Sequence, residues 1–310
     1  AGASIGPASE KDITAAGFFN DQAGFSSMMN SRGLFAYNRS TGMDFTVTMR
    51  SNDGTGSGWV PRDFNDVSKF DAVEASNIAI EKALQSREPK AIEPGKYTVI
   101  LEPAASIGLL RNMIFNMSAR SADEGRSFLT KKGGGTKLGE KMFDERVNVY
   151  TDPWHPEVPS RTWSGDGQPL KKMDLVRGGV VKNLFYDRYW AQEKGVEPVP
   201  FPSNVIFEGG TDSIEDMIKD TERGVLVTRT WYIRTVDPQT LLYTGLTRDG
   251  TFYIENGELK YPVKNFRFNE SPVIMLNNLE TLGKQYRVDG SLVPVMKIRD
   301  FTFSSLSDAI

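Results

Sequence analysis

From residue 147 onward, short apolar runs alternate with turn residues at close spacing, which restricts this half of the chain to few folds. The candidate strands are 147–150, 179–184, 205–207, 224–233, 250–255, 263–268 and 293–303. Runs of this length and spacing are typical of an antiparallel β domain. A helix from Ser213 to about Glu222 interrupts the pattern, since Ser213 and Asp216 have the spacing of a capping box.

The first part of the chain mixes strands with longer helices. Residues 45–50 alternate as a half-buried strand does, and residues 29–37 read as a second strand broken by Gly33. A helix is expected from Asp66 or Ser68 to about Arg87, with Phe70, Val73, Ile80 and Leu84 near one face. A buried strand is expected at 97–101, followed by a second helix from about 104 to 124.

The second of these helices carries the clearest core signal. Ile107, Leu110, Ile114 and Met117 recur at helical spacing and are expected to pack on the preceding strand. The sequence as a whole therefore predicts an α+β fold. An N-terminal α/β domain with a sheet and two long helices is expected over residues 1–146, and a mostly antiparallel β domain over 147–310. The boundary is expected near residues 144–153.

The amino-acid composition limits the kinds of function that this chain can have. The 310 residues carry a formal net charge of -3, so no direct binding to DNA is expected. No apolar run reaches the ~18 residues that a membrane span requires. The chain has no cysteine, which fits a cytoplasmic protein because disulfides belong to oxidising compartments. It begins at Ala1 without an initiator methionine or a signal peptide, and we expect it to be trimmed or incomplete.

The sequence has few side chains that could bind a catalytic transition metal. A hydrolytic zinc site usually takes three ligands from His, Cys and acidic side chains. The single histidine, His155, lies between Trp154 and Pro156 in an extended, proline-flanked segment. We expect it to be an ordinary loop or surface residue and not a metal ligand. We therefore expect no metal site and no cofactor.

Several segments together resemble the TldD/PmbA family, the so-called modulators of DNA gyrase, whose pairs form a zinc-dependent peptidase. These are SIEDMIKDTERGVLVTR (213–229), GLTRDGTFYIENGELKYPV (245–263), SLVPVMKIRDF (291–301) and EPGKYTVILEP (93–103). The resemblance implies a dimer that encloses a cavity, either a homodimer or a heterodimer with a catalytic TldD-like subunit. It also implies binding of an extended peptide. Because family members usually have a longer N-terminal portion, it implies as well that the N-terminal α/β domain is truncated in this chain.

The zinc-binding motif of that family is missing. Catalytic members carry HExxxH on the second helix. Arg111 and Asn116 stand at the positions of its two histidines, and Asn112 stands at the position of its glutamate. The family's C-terminal cysteine, expected near 289–291, is also absent. The chain thus looks closest to the non-catalytic PmbA/TldE type, with no catalytic residues. Two interpretations of Arg111, Asn112 and Asn116 follow. These side chains line a peptide-binding groove, or they form the polar face of a packed helix.

Two further readings remain open. Asp123, Glu124 and Arg126 are secondary groove candidates, although Gly125 favours a C-terminal helix cap with local ion pairs. Alternatively, the chain is an active hydrolase with an atypical site, in which Glu102, Asp123 and Glu124 hold a water or a hard metal ion.

Overall fold

The computed structural model describes residues 1–307 and contains two sheets flanked by helices. The helices are α1 (Gly2–Ser9), α2 (Ala72–Gln85), α3 (Pro103–Phe115), α4 (Ala119–Asp123), α5 (Arg188–Lys194), α6 (Ile214–Lys219) and α7 (Pro272–Asn277). The strands of the first half are β1 (Ile13–Met29), β2 (Phe35–Ser51), β3 (Ser57–Phe64) and β4 (Lys96–Leu101). Those of the second half are β5 (Val149–Thr151), β6 (Met173–Arg177), β7 (Val180–Val181), β8 (Ile206–Phe207), β9 (Arg223–Val227), β10 (Thr230–Asp237), β11 (Leu242–Thr247), β12 (Thr251–Glu255), β13 (Glu258–Pro262), β14 (Phe266–Glu270), β15 (Leu279–Val288) and β16 (Ser291–Leu306).

The smaller sheet is the antiparallel meander β1-β2-β3. β1 and β2 are 17 residues each and pair from Ile13↔Ser51 to Met29↔Phe35 without a register shift. The predicted strand at 29–37 is confirmed only at its ends, because Met29 ends β1, residues 35–37 begin β2, and the residues between them are the turn of the hairpin. Gly33, with φ 84°, supplies the left-handed residue that reverses the chain.

Helix α2 covers the base of this sheet. Asp71 caps it by accepting the N–H groups of Val73 and Glu74, while a separate 3-10 turn (Val67–Lys69) precedes it. The predicted helix start at Asp66 or Ser68 therefore belongs to that turn. The buried face carries Ala75, Ala79, Ile80 and Ala83, whereas Val73 is 57% exposed and was wrongly placed on that face. Gly58 of β3 is needed for this contact, since a Cβ there would lie 2.2 Å from the carbonyl oxygen of Ala79.

The larger sheet follows the order β13-β12-β9-β4-β16-β8-β5-β6-β7, with β10, β11, β14 and β15 joined through β11, β14 and β16. Only β4 with β9 and β16 with β8 pair in parallel among the described strand pairs. The predicted α+β class, with a mostly antiparallel second half, is thus confirmed. β4 hydrogen-bonds to β9 and β16, so strands from both sides of residue 146 share one sheet. The domain boundary near 146 stays a prediction.

The predicted helix from 104 to 124 is two helices. Asn116 ends α3, Ser118 begins α4 by accepting the N–H of Ser121, and Met117 lies between them. The apolar stripe is confirmed, because Ile107, Leu110, Ile114 and Met117 are all buried in one core with Val99 and Leu101 of β4.

Two other predictions can be compared with the structure. Ser213 and Asp216 form the capping box of α6, which ends at Lys219 and so stops short of the predicted Glu222. Within residues 1–307, no helix combines the length and apolar character that crossing a bilayer requires.

Candidate functional site

Helix α3 and the turn between β15 and β16 meet in an ion pair. Arg111 Nη1 lies 2.8 Å from Asp289 Oδ2, and the two side chains are 44% and 59% exposed. Asp289 has φ 51°, a left-handed conformation that Asp and Asn adopt more readily than most residues. The fold therefore joins Arg111 to the 289–291 turn, and the family resemblance gives a metal ligand to each of these places.

Asn112 and Asn116 do not join this pair. The Asn116 side-chain amide donates hydrogen bonds to the Asn112 carbonyl oxygen at 2.8 Å and to the Tyr243 hydroxyl at 3.1 Å. Burial raises the pKa of Tyr243, which keeps the hydroxyl neutral at ordinary pH. Asn116 thus closes the end of α3 against β11, and Asn112 is half-buried beside it.

The zinc ion that the resemblance implies does not fit these side chains. A guanidinium remains protonated and offers no lone pair, and the Arg111 group already lies on the Asp289 carboxylate. The Asn116 amide nitrogen is committed as a donor. In the part of the chain that the structure describes, no three His, Cys, Asp or Glu side chains are placed to share a metal ion. We therefore assign no zinc-dependent step to these residues.

The secondary candidates form a helix cap with local ion pairs. Asp123 accepts from Trp190 Nε1 at 2.9 Å and lies 3.2 Å from Lys194 Nζ. Glu124 accepts hydrogen bonds from Arg126 and Arg120, which lower the pKa of its carboxyl group. Gly125 follows the cap with φ 79°, as expected at this position. A groove role for these side chains stays a prediction.

The carboxylates of the alternative hydrolase site do not meet. Glu102 precedes α3 and pairs with Lys82 at 2.6 Å, both side chains being 16% exposed. Asp123 and Glu124 lie beyond the other end of α3, whose 13 residues span about 20 Å at 1.5 Å per residue. Each carboxylate also has its own basic partner, so the predicted cluster is wrong as a metal or water site.

A cleft of about 1190 Å³ opens next to the Asp289 turn. Its walls come from the β1–β2 hairpin and from segments 153–168 and 199–203, and Gly290 and Arg287 lie at one end. The hairpin tip reaches across to the opposite wall. A Cβ on Gly167 would come within 2.9 Å of both Leu34 and Met28 of the tip.

The hairpin presents a polar face to this cleft. Residues directly opposite in an antiparallel pair share a face, and Ser26 is opposite Asn38 while Gln22 is opposite Gly42. Ser26, Asn38 and Gln22 line the cleft, and so does Ser40 of the same face. These side chains supply both hydrogen-bond donors and acceptors along one wall.

A second Arg–Asp pair supports the end of the cleft. Arg287 Nε donates to Asp63 Oδ2 at 2.8 Å, and Nη1 donates to Asn65 Oδ1 at 2.6 Å and to the Glu157 carbonyl oxygen. Both side chains of the ion pair are nearly buried, at 14% and 13% exposed, and the Gly290 N–H also donates to Asp63. Arg287 thus joins β3, the segment around 157 and the β15–β16 turn.

The opposite wall combines aromatic and proline residues with polar groups. Trp154 is 73% exposed, and Phe201 stacks on Phe115 of α3 with ring centroids 4.9 Å apart. Ser160 Oγ is buried there without a hydrogen-bond partner in residues 1–307. Burial tends to raise the pKa of Asp166, but hydrogen bonds from Ser164, Gln168 and Arg188 outweigh it and lower the pKa.

His155 lies in the same loop region, as predicted. Its Nδ1 accepts the N–H of Glu157 at 3.3 Å, which is a local turn contact. The cleft itself, with Trp154, Arg287 and the hairpin, was not predicted from the sequence. The alternation of polar residues along β1 and β2 is the signal that could have indicated one wall of it.

Comparison with known proteins agrees with this architecture. The sequence model of the PmbA/TldA metallopeptidase C-terminal domain matches residues 94–305. A metalloprotease of Methanothermobacter thermautotrophicus is 23% identical, with 89% of this chain and 65% of that protein covered. Metalloprotease PmbA of Escherichia coli O157:H7 is 21% identical over 70% of this chain and 49% of its own length. The chain spans about two thirds, or less, of these relatives.

Two solved structures share the fold. A proposed modulator of a DNA gyrase from Thermotoga maritima has a TM-score of 0.88 at 20% identity, covering 97% of this chain and 72% of that one. TldE from Thermococcus kodakarensis has a TM-score of 0.83 at 20% identity, with the same coverage of both chains. Since the matched family model covers well over half of the residues, the chain belongs to the PmbA/TldD family of metallopeptidase-related proteins.

Proposed function

We propose that this chain is a non-catalytic member of its family that binds extended peptide, as a PmbA/TldE-like subunit does. The observation that carries the proposal is the Arg111–Asp289 ion pair beside the cleft. A guanidinium and a carboxylate neutralise each other at the place where the resemblance puts a catalytic metal. The neighbouring cleft nevertheless retains the volume and the polar lining that peptide binding needs.

The shape and chemistry of the cleft favour a polypeptide in extended conformation. An extended chain must satisfy a backbone donor and acceptor at each residue, and the polar hairpin face offers Gln22, Ser26 and Asn38 for this. Ser160 Oγ is a buried group that a ligand could satisfy. The exposed Trp154 offers apolar area for side chains, and aromatic residues often dominate binding energy at such surfaces.

We also propose how the chain assembles and where it acts. It assembles with a second copy or with a catalytic TldD-like subunit, and it works in the cytoplasm, which a cysteine-free sequence fits. The chain is not expected to contact DNA directly, because its formal net charge is -3.

The purified protein is expected to lack metal-dependent peptidase activity. Cleavage of an unfolded substrate such as casein should stay at background, and neither a zinc chelator nor added zinc should change it. Elemental analysis after dialysis should find zinc well below one atom per chain. Stoichiometric zinc together with chelator-sensitive cleavage would overturn the non-catalytic assignment.

Trp154→Ala is expected to weaken peptide binding about tenfold, which corresponds to ~1.4 kcal/mol. Trp154 is exposed at the cleft, so its loss removes contact area without disturbing a core. Fluorescence anisotropy with a labelled, unstructured peptide measures the change. Trp231→Ala is the matched control, since Trp231 is 44% exposed and does not line the cleft. Equal weakening by both variants would contradict binding in the cleft.

A further inference from the structure

Three phenylalanine rings form an aromatic platform on the cleft wall opposite the hairpin. Phe201 stacks on Phe115 with ring centroids 4.9 Å apart and planes 10° from parallel, and Phe185 meets Phe201 in a T-shaped contact at 4.8 Å between centroids. Phe201 and Phe185 line the cleft, and Phe115 ends α3 about one helical turn after Arg111. Phe185 is buried, but Phe115 and Phe201 are 59% and 41% exposed. The aromatic platform therefore presents open apolar surface to a ligand.

The backbone holds the aromatic platform in place. Phe201 lies between Pro200 and Pro202, and proline fixes its own φ and restricts the residue before it to extended conformations. The backbone N–H and carbonyl oxygen of Phe185 hydrogen-bond to the junction between α3 and α4, at 2.9 and 3.0 Å. Rings that are fixed before a ligand arrives lose little conformational entropy when it binds.

The exposed area of the aromatic platform suits one side chain and not a protein partner. At about 150–250 Å² for each aromatic side chain, the open parts of Phe115 and Phe201 amount to roughly 200 Å². This is about the area of one aromatic side chain, and far below the ~800 Å² that each partner buries in a standard protein interface. The occupant that the platform fits is therefore a single ring.

A group that can bind peptide backbone lies on the same wall. Ser160 Oγ, buried without a hydrogen-bond partner in residues 1–307, lines the cleft as Phe201 does. The two segments of this wall are joined, because the Asn204 side-chain amide donates to the carbonyl oxygens of Asp152 and Val158 at 2.7 and 2.6 Å. A peptide bound at this wall thus has a buried hydroxyl for its backbone and a ring surface for a side chain.

We propose that the aromatic platform is a specificity subsite of the cleft, and that it selects peptides with an aromatic side chain. Aromatic pairs in stacked or edge-to-face geometry are stronger than their buried area alone accounts for, so a phenylalanine of the peptide gains more here than a leucine of similar apolar character. The rings of the platform already meet each other in these two geometries. This selectivity rests on the proposed function, and it names the class of peptide that the cleft takes.

Two labelled peptides of one Gly/Ser-rich sequence test the selectivity, one with a central phenylalanine and the other with a central leucine. Fluorescence anisotropy with the unaltered protein should show about fivefold tighter binding of the phenylalanine peptide. Phe201→Ala should bring the ratio of the two dissociation constants close to one, and Phe201→Tyr should keep the ratio because the ring remains. A partly unfolded sample does not change this ratio, since the same fraction of protein binds each peptide. Equal binding of the two peptides to the unaltered protein, or a ratio that survives in Phe201→Ala, overturns the proposal.

Two further variants locate the selectivity. Phe18→Ala is the matched control and should leave the ratio unchanged, since Phe18 is 62% exposed and does not line the cleft. Trp154→Ala should weaken the binding of both peptides and keep the ratio, and a ratio lost in Trp154→Ala instead of Phe201→Ala would overturn the platform as the subsite. Failure of both peptides to bind the unaltered protein would sink the proposed function and the subsite with it, whereas equal binding of both sinks the subsite alone.

Discussion

Arg287→Ala is expected to lower the free energy of unfolding by about 3–5 kcal/mol, the cost of breaking a buried ion pair by removing one partner. Arg287 is 14% exposed and joins Asp63, Asn65 and the Glu157 carbonyl oxygen at one end of the cleft. Without the guanidinium, the Gly290 N–H is the one donor left to the nearly buried Asp63 carboxylate among residues 1–307. Urea unfolding followed by circular dichroism measures the loss.

Arg111→Ala is the matched control for this change. The Arg111–Asp289 and Arg287–Asp63 pairs have the same shortest distance, 2.8 Å, and differ in exposure. Exposed ion pairs usually contribute about 0–1 kcal/mol, because water screens them and side-chain entropy opposes them. We therefore expect Arg111→Ala to leave the unfolding curve almost unchanged. Equal losses in the two variants would show that burial does not distinguish the pairs, and would remove Arg287 as the support of the cleft.

Ile114→Ala is expected to lower the free energy of unfolding by about 2–5 kcal/mol. Ile114 is 2% exposed, and it lies in the core that α3 shares with β4. The substitution removes apolar contacts and leaves a cavity that close-packed neighbours fill only in part. Thermal and urea unfolding should both detect it. Because α3 carries Arg111 and ends at Asn116, peptide binding should also weaken as the variant begins to unfold.

Ile274→Ala tests whether the loss of stability in Ile114→Ala comes from burial or from replacing any isoleucine in a helix. Ile274 also lies in a helix, α7, but its side chain is 53% exposed. Surface substitutions away from caps and networks usually change stability by within about 0.5 kcal/mol. A large loss for Ile274→Ala beside a silent Ile114→Ala would mean that the buried face of α3 is wrongly assigned.

Local signals predicted the elements that depend mainly on their own sequence. The Ser213–Asp216 spacing predicted the start of α6, since a capping box is complete within four residues. The stripe from Ile107 to Met117 predicted the buried face, because any helix with that spacing has one apolar side. The helix break at Asn116 was not predicted, although Ser118 is a local N-cap residue whose side chain accepts the N–H of Ser121.

The candidate site was also predicted only in part. Sequence comparison singled out Arg111 and the 289–291 segment, but it could not say that the two would form an ion pair 178 residues apart. The cleft could not be predicted, because its walls come from β1–β2, two loops and Arg287. No short window of sequence contains that combination.

By itself, the sequence determined the fold class and the buried stripe of α3, because these follow from residue identity and periodicity, and its resemblance to the family indicated that the HExxxH side chains are absent. Only the tertiary structure decided that Arg111 meets Asp289, that Arg287 supports the cleft through Asp63, and that the β1–β2 hairpin forms one wall of the cleft. Each of these depends on which distant segments become neighbours. That pairing is set by the packing of the two sheets, since local propensity acts over only a few residues.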